Sequence, residues 1–204
     1  MTNHVLTPLS RYFNLIELGN RIKESGAHWH LLSIEGEHKF PNLGTWVTQH
    51  HFSPPPPDFW IGHHLINEFI EKAVVNDDDR YVVITDDDMI EPGLFSKLDQ
   101  YHDDVLIISM QRSNVPTPGN GPDCAFNTLI ASPENIFHGG IGFEQFVVKG
   151  KLMKKYRVPG IYHGDFIFIN AVWHDHLESF RFVPDAWVYF NALPPGRAGR
   201  WDRS

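Results

Sequence analysis

The segment 81–85 (YVVIT), with the three aspartates that follow it, constrains this chain more than any other feature. The five residues carry no charge and are rich in β-branched side chains. That is the composition of a strand buried on both faces, as central strands of a parallel sheet are. Asp86, Asp87 and Asp88 follow with no turn residue between. In open α/β sheets ligands sit beyond the carboxyl ends of the strands, so the triplet is expected at the ligand-binding edge. Side chains alternate along a strand, so Asp86 and Asp88 are expected to point the same way. Two carboxylates about 4 Å apart repel by about 4 kcal/mol at an effective dielectric of about 20, and a divalent cation turns that penalty into binding. Oxygen-only donors select Mg²⁺, Mn²⁺ or Ca²⁺. The run Asp77-Asp78-Asp79 has the same composition but precedes the strand, and it reads as a solvated turn.

The elements around this strand read as alternating α and β. Residues 4–7 form a first short strand. A helix capped by Ser10 runs to about Ser25 and stops at Gly26, and 28–34 (HWHLLSI) form a second strand. This is a βαβ opening. Pro54 to Pro57 make a rigid polyproline loop before a helix over 60–75. Glu91-Pro92 place a proline at the start of a helix that runs to about Tyr101. Further strands are expected at 105–110, 125–131, 143–148 and 187–190, with helices at 151–156 and 164–176. Residues 114–123 are a Pro- and Gly-rich loop. The tail 194–204 carries Arg197, Arg200 and Arg203. The fold class is α/β, a single Rossmann-type domain with a mainly parallel sheet flanked by helices.

Composition bounds the partners. With 204 residues and 42% hydrophobic content the chain buries a core without staples. The lone Cys124 excludes an internal disulfide framework and any CxxC metal or redox site. A net charge of −8 argues against nucleic acid as partner and fits a cation-dependent site. A secretory leader and an apolar stretch of spanning length are both lacking, so a cytoplasmic address is expected. The abrupt ending at Trp201 to Ser204 suits one domain of a longer chain.

The residues 81–98 (YVVITDDDMIEPGLFSKL) resemble the DXD region of GT-A glycosyltransferases, which use nucleotide-diphospho sugars with Mn²⁺ or Mg²⁺. The opening 4–11 (HVLTPLSR) resembles the first strand and nucleotide-binding loop of that fold. Residues 138–156 (HGGIGFEQFVVKGKLMKKY) resemble its acceptor-side segment, and 163–173 (HGDFIFINAVW) stand where inverting members keep a basic carboxylate. The small size is similar to chlorella-virus transferases that build capsid glycans, which implies viral protein glycosylation in a host cytoplasm. The resemblance divides the chain into a nucleotide-binding half at about 1–110, an acceptor-side half at about 111–193 and the tail.

The resemblance also implies roles. Asp88 is the direct metal ligand, and Asp86 contacts the ribose or the metal's water. Asp87, between them, faces the sugar in the pattern. Thr7, Pro8, Leu9, Ser10 and Arg11 line the uridine side, with Glu35 as a base- or ribose-contacting acid. Asp165 is the base that accepts the acceptor's proton, and Gly139 and Gly140 floor the acceptor side. The family commonly has Glu-Asp where this chain has Gly164-Asp165. The implied activity is hexosyl or deoxyhexosyl transfer from a UDP-sugar to a hydroxyl of a glycan or glycoprotein acceptor. A catalytically silent sugar-nucleotide or carbohydrate-binding module is the alternative.

Several features have plainer readings beside these. Asp165 also suits a helix cap, and the two roles are compatible. Gly139 to Gly142 suit an ordinary turn as well as an acceptor floor. The 114–123 loop is a lid or a spacer. The tail arginines either clamp a diphosphate or stay solvated. Trp173 and Trp187 suit core packing better than sugar stacking. The 13 histidines read mostly as surface or capping residues. His163, Asp165 and His174 lie on one predicted helix and do not close around one ion.

Overall fold

Nine strands form one sheet in the order β3-β2-β1-β4-β8-β6-β9-β5, with β7 beside β6, in a computed structural model that describes residues 1–9, 15–36, 43–112 and 128–190. Ser10, Arg11, the 114–123 loop, Cys124 and the arginine-bearing tail lie outside the described residues. The strands are β1 (Asn3–Pro8), β2 (His28–Ile34), β3 (Val47–Phe52), β4 (Arg80–Val83), β5 (Met89–Ile90), β6 (Val105–Arg112), β7 (Thr128–Leu129), β8 (Phe146–Lys149) and β9 (Phe180–Phe190). The helices are α1 (Leu15–Glu24), α2 (Ile61–Lys72), α3 (Leu94–Leu98), α4 (Gly150–Lys155) and α5 (Gly164–Asp175). Strands β1, β2, β3, β4, β6 and β9 run one way, and β8 is inserted backwards between β4 and β6. The expected α/β class with a mostly parallel sheet is what the chain adopts.

Alternation along the central strands divides the core. Val5, Leu31, Val82 and Val147 face one side, where Leu18 and Ile22 of α1 and Phe95 and Leu98 of α3 cover them. Their neighbours Leu6, Leu32, Val83 and Val148 face the other side, under Phe69 of α2, Leu152 of α4 and Phe168 of α5. Two buried faces explain why 81–83 and 105–108 read as unbroken apolar runs.

The sheet has to curl. Val83 and Met89 are six residues apart, about 20 Å if fully extended, and β5 lies four strand places from β4, about 19 Å on a flat sheet. The Asp88 amide donates to the Thr85 carbonyl at 3.1 Å, a tight turn that shortens the link. Only a curled sheet lets it reach. A bulge between Ile108 and Ser109, where β9 skips from Val183 to Trp187, bends the sheet there.

Several expectations are corrected. Strand β3 was not expected, because its residues Thr48, Gln49, His50 and His51 are polar; as an edge strand it has no need of an apolar run. The helix placed at Glu91-Pro92 begins only at Leu94, after Gly93 at φ 72°. Glu91 instead holds β5 on β9, its carboxylate accepting from the Trp187 amide at 2.9 Å and from Lys97 Nζ at 2.7 Å. The strand expected at 143–148 starts at Phe146, behind a 3₁₀ turn at Phe143–Gln145. β9 begins at Phe180, not 187. Asp79 is not solvated: it accepts from the Thr2 amide at 2.6 Å and from Asn76 at 2.8 Å, and it pins the chain start. Trp173 packs edge-on against Phe180 and Phe182.

The histidines depart furthest from a surface role. His4, His30 and His50 line up across β1, β2 and β3. His4 Nδ1 lies 2.9 Å from His30 Nε2, His30 Nδ1 lies 3.1 Å from His50 Nε2, and His4 Nε2 lies 3.4 Å from Asp79 Oδ2. Asp79 accepts, so His4 carries its proton on Nε2. Its Nδ1 then accepts from His30, whose Nδ1 accepts from His50. One assignment, three neutral rings protonated on Nε2, satisfies every link. Burial, then the neighbouring His4, His50 and His28, push His30 down to about 3. Around it stand Phe69 of α2, His50 of β3 and, through His4, Tyr81 and Asp79. The folded state therefore binds fewer protons than the unfolded one. The stability this contributes is complete above about pH 6.5 and is lost as pH falls from there toward 3. Between pH 6 and pH 4 the unfolding free energy of the wild type should fall about 1.4 kcal/mol per unit more steeply than that of His30→Phe, read from urea titrations. Equal slopes would contradict the neutral chain.

Candidate functional site

The reversed strand β8 builds the site. Val147 of β8 pairs Val82 of β4, so the residues entering β8 lie beside the carboxyl end of β4. The 3₁₀ turn Phe143–Gln145 therefore comes against the aspartate triplet. Gly142 and Gln145 close that turn on each other: the Gly142 amide donates to Gln145 Oε1 at 3.1 Å, and the Gln145 amide to the Gly142 carbonyl at 3.0 Å. Glu144, between them, is buried and hydrogen-bonded to Asp88.

The triplet is buried as well, Asp86 at 3%, Asp87 at 6% and Asp88 at 0% exposure, so these are not residues of a solvated turn. The expectation that strand alternation aims Asp86 and Asp88 together does not carry over, because β4 ends at Val83 and the chain turns at Thr85. The Thr85 hydroxyl lies 2.8 Å from Asp87 Oδ1 and also contacts Asp88 Oδ2. It has one proton for two carboxylates.

Asp165 joins from α5. It sits in the first turn, where the helix dipole favours negative charge, and its Oδ1 accepts from the Phe166 amide at 2.8 Å. The cap position itself is held by His163. A Cβ on Gly142 would stand 2.7 Å from Glu144 Oε2, so the glycine makes room for that carboxylate, while Asp165 Oδ2 lies at an ordinary contact distance of 3.9 Å from the same point. Burial first, then the charges of Asp165 and Asp87, push the Glu144 carboxyl up to about 7, against the opposing hydrogen bonds of its own amide and Asp88. Four acidic residues from three segments thus share one edge. Among the described residues no three His, Cys, Asp or Glu side chains form a ready-made metal cage. The donor set is nonetheless all oxygen, and its crowded negative charge suits a hard cation completed by ligand oxygens.

The remaining expected residues are placed as follows. The Thr7 side chain is fully buried and accepts from the Trp29 indole at 2.9 Å. Leu9 is a core residue whose amide donates to Leu32. Both side chains are taken up by the core. Pro8 lies beside the head of α2, 3.8 Å from where a Gly62 Cβ would be. Glu35 is exposed beyond β2, its amide bonded to Phe52. Gly139 has φ 80°, which a turn requires, and Gly140 packs so closely that a Cβ would meet the Phe137 ring at 2.5 Å. The turn accounts for Gly139 and the Phe137 contact for Gly140.

Glu144 was missed. Its signal was faint: a single acid in a 3₁₀ turn that reads as the start of a strand. Only the β4–β8 pairing, 60 and more residues apart in sequence, shows what it touches.

No family model and no curated protein matches the chain. Solved structures do resemble it. S. aureus TarS 1–349 aligns with 93% of this chain at a TM-score of 0.60 and 16% identity, and a longer S. aureus TarS structure does so at 0.59 and 16%. The chain spans 60% of the first and 36% of the second. At that identity the likeness shows the fold. The galactosyltransferase LgtC, solved with donor and acceptor sugar analogs, covers 89% of this chain and 67% of its own, but its TM-score of 0.41 and 8% identity carry no weight.

Replacing Thr85 by Val removes the hydroxyl shared by Asp87 and Asp88. It should lower the unfolding free energy by about 2 kcal/mol in chemical denaturation, and an unchanged midpoint would contradict the bonding described.

Proposed function

We propose that this chain is a metal-dependent glycosyltransferase that moves a sugar, a hexose or deoxyhexose, from a UDP-sugar to a hydroxyl of a glycan or glycoprotein acceptor. The observation that carries the reading is the convergence of Asp87, Asp88, Glu144 and Asp165 at the carboxyl edge of the sheet, with Asp86 buried next to them in the chain. Ligands of open α/β sheets bind at that edge. Asp88 and Asp86 would hold Mn²⁺ or Mg²⁺. When bound, the cation supplies neutralisation of the diphosphate that leaves.

Asp165 is the group for the acceptor. Its carboxylate takes the proton of the attacking hydroxyl, the hydroxyl oxygen bonds to the anomeric carbon, and the bond from that carbon to the diphosphate oxygen breaks with its electron pair leaving on UDP. One displacement inverts the configuration. Glu144 keeps the Asp88 carboxylate in place through their hydrogen bond. The backbone of Thr7, Pro8 and Leu9 borders the edge where the nucleotide is expected.

Asp165→Asn preserves size and removes the base. It should leave Mn²⁺-dependent UDP binding within about twofold and lower the turnover of a UDP-sugar by at least about 10²-fold, measured as UDP release with an accepted glycan. Wild-type turnover in that variant would refute the role of Asp165.

A further inference from the structure

Beside Asp165 the surface carries aromatic rings where water-facing residues would be expected. Tyr162 is 53% exposed and Ile161 54%. Trp60, at the head of α2, meets Tyr162 at a ring separation of 5.3 Å and an angle of 73°. Tyr162 meets His163 at 4.7 Å and 72°, and His163 meets His138 at 3.8 Å and 75°. The two loops are tied to each other. The Trp60 amide donates to the Gly160 carbonyl at 2.7 Å, and Phe59 packs so tightly on Gly160 that a Cβ there would stand 2.2 Å from its ring. Gly164 likewise has no room for a Cβ, which would lie 2.1 Å from the Pro159 carbonyl oxygen. The rings are therefore held in place by backbone packing.

We infer that Trp60, Tyr162, His163 and His138 form an acceptor platform that stacks a pyranose ring next to Asp165. The inference rests on the transferase reading above and specifies the acceptor it takes. A pyranose has an apolar C–H face and a rim of hydroxyls. Exposed rings suit the face, and imidazoles at the platform edge suit the hydroxyls, since each imidazole both donates and accepts. None of the four rings carries an ammonium, guanidinium or carboxylate, so the stacking face itself offers no ion pair. Tyr162 lies three residues before Asp165, just ahead of the His163 cap of α5. A ring stacked there brings a hydroxyl to the carboxylate that takes its proton.

Saturation-transfer NMR on the full chain tests this with methyl glucoside, methyl galactoside, methyl N-acetylglucosaminide, maltotriose and chitotriose as probes. At least one should bind the wild type through its ring C–H protons. Tyr162→Ala should weaken that binding about tenfold, whereas Tyr162→Phe should retain it. Trp60→Ala, with folding checked by circular dichroism, should repeat the loss. Absence of binding by every probe, or equal binding by Tyr162→Ala, would overturn the platform. A UDP titration with Mn²⁺ on the same samples separates the two readings. Sugar binding without UDP binding would sink the transferase alone, and UDP binding without sugar binding would sink the platform alone.

Discussion

Strand β8 runs against its two neighbours, and the site depends on that reversal. Were it parallel, the residues entering it would emerge at the far edge of the sheet. Because it is antiparallel to both β4 and β6, its entry turn stands beside the end of β4. That turn carries Glu144 to Asp88, near enough to Asp165 of α5 to feel its charge. The curl of the sheet completes the arrangement, since β5 clips onto β9 directly after the triplet. Three segments far apart in sequence thereby place carboxylates on one edge.

Such an edge costs stability. Burial first, and then the charges of Asp165 and Asp87, raise the proton affinity of Glu144. Proteins tolerate a cluster of this kind where a ligand relieves it. The rest of the domain offsets the strain conventionally, through two apolar layers on a sheet buried on both faces. Arg80 does the same for α3, reaching from β4 to donate to the Leu98 carbonyl at 2.9 Å and to the Tyr101 carbonyl. The histidine chain crosses β1, β2 and β3 diagonally, from His4 at the start of β1 to His50 level with Pro8, and joins them through neutral rings that end on Asp79.

Much of the central fold was legible because its strands are buried on both faces. Residues 81–83 and 105–108 are unbroken apolar runs, and the triplet follows directly from the first. Edge strand β3 was not legible: Thr48 to His51 are polar, and parallel pairing with β2 decides their state. Glu91-Pro92 carried a helix-start signal that tertiary bonding to Trp187 overrode. At the site, the triplet could be found by its position after a predicted strand, and Asp165 through the resemblance of residues 163–173. Glu144 could not, because its partner lies more than 50 residues away and the pairing that joins them leaves no local pattern. Thr7 and Leu9 are expected on the uridine side, yet Trp29 and Leu32 draw them into the core.

The central claim is that the carboxylates at the sheet's edge bind a nucleotide diphosphate through a divalent cation. Isothermal calorimetry of UDP, with GDP and dTDP as controls, with and without Mn²⁺, tests it most directly. The account predicts UDP binding that requires Mn²⁺ and is lost in Asp88→Ala. Binding that is indifferent to Mn²⁺, or unchanged in Asp88→Ala, would contradict it.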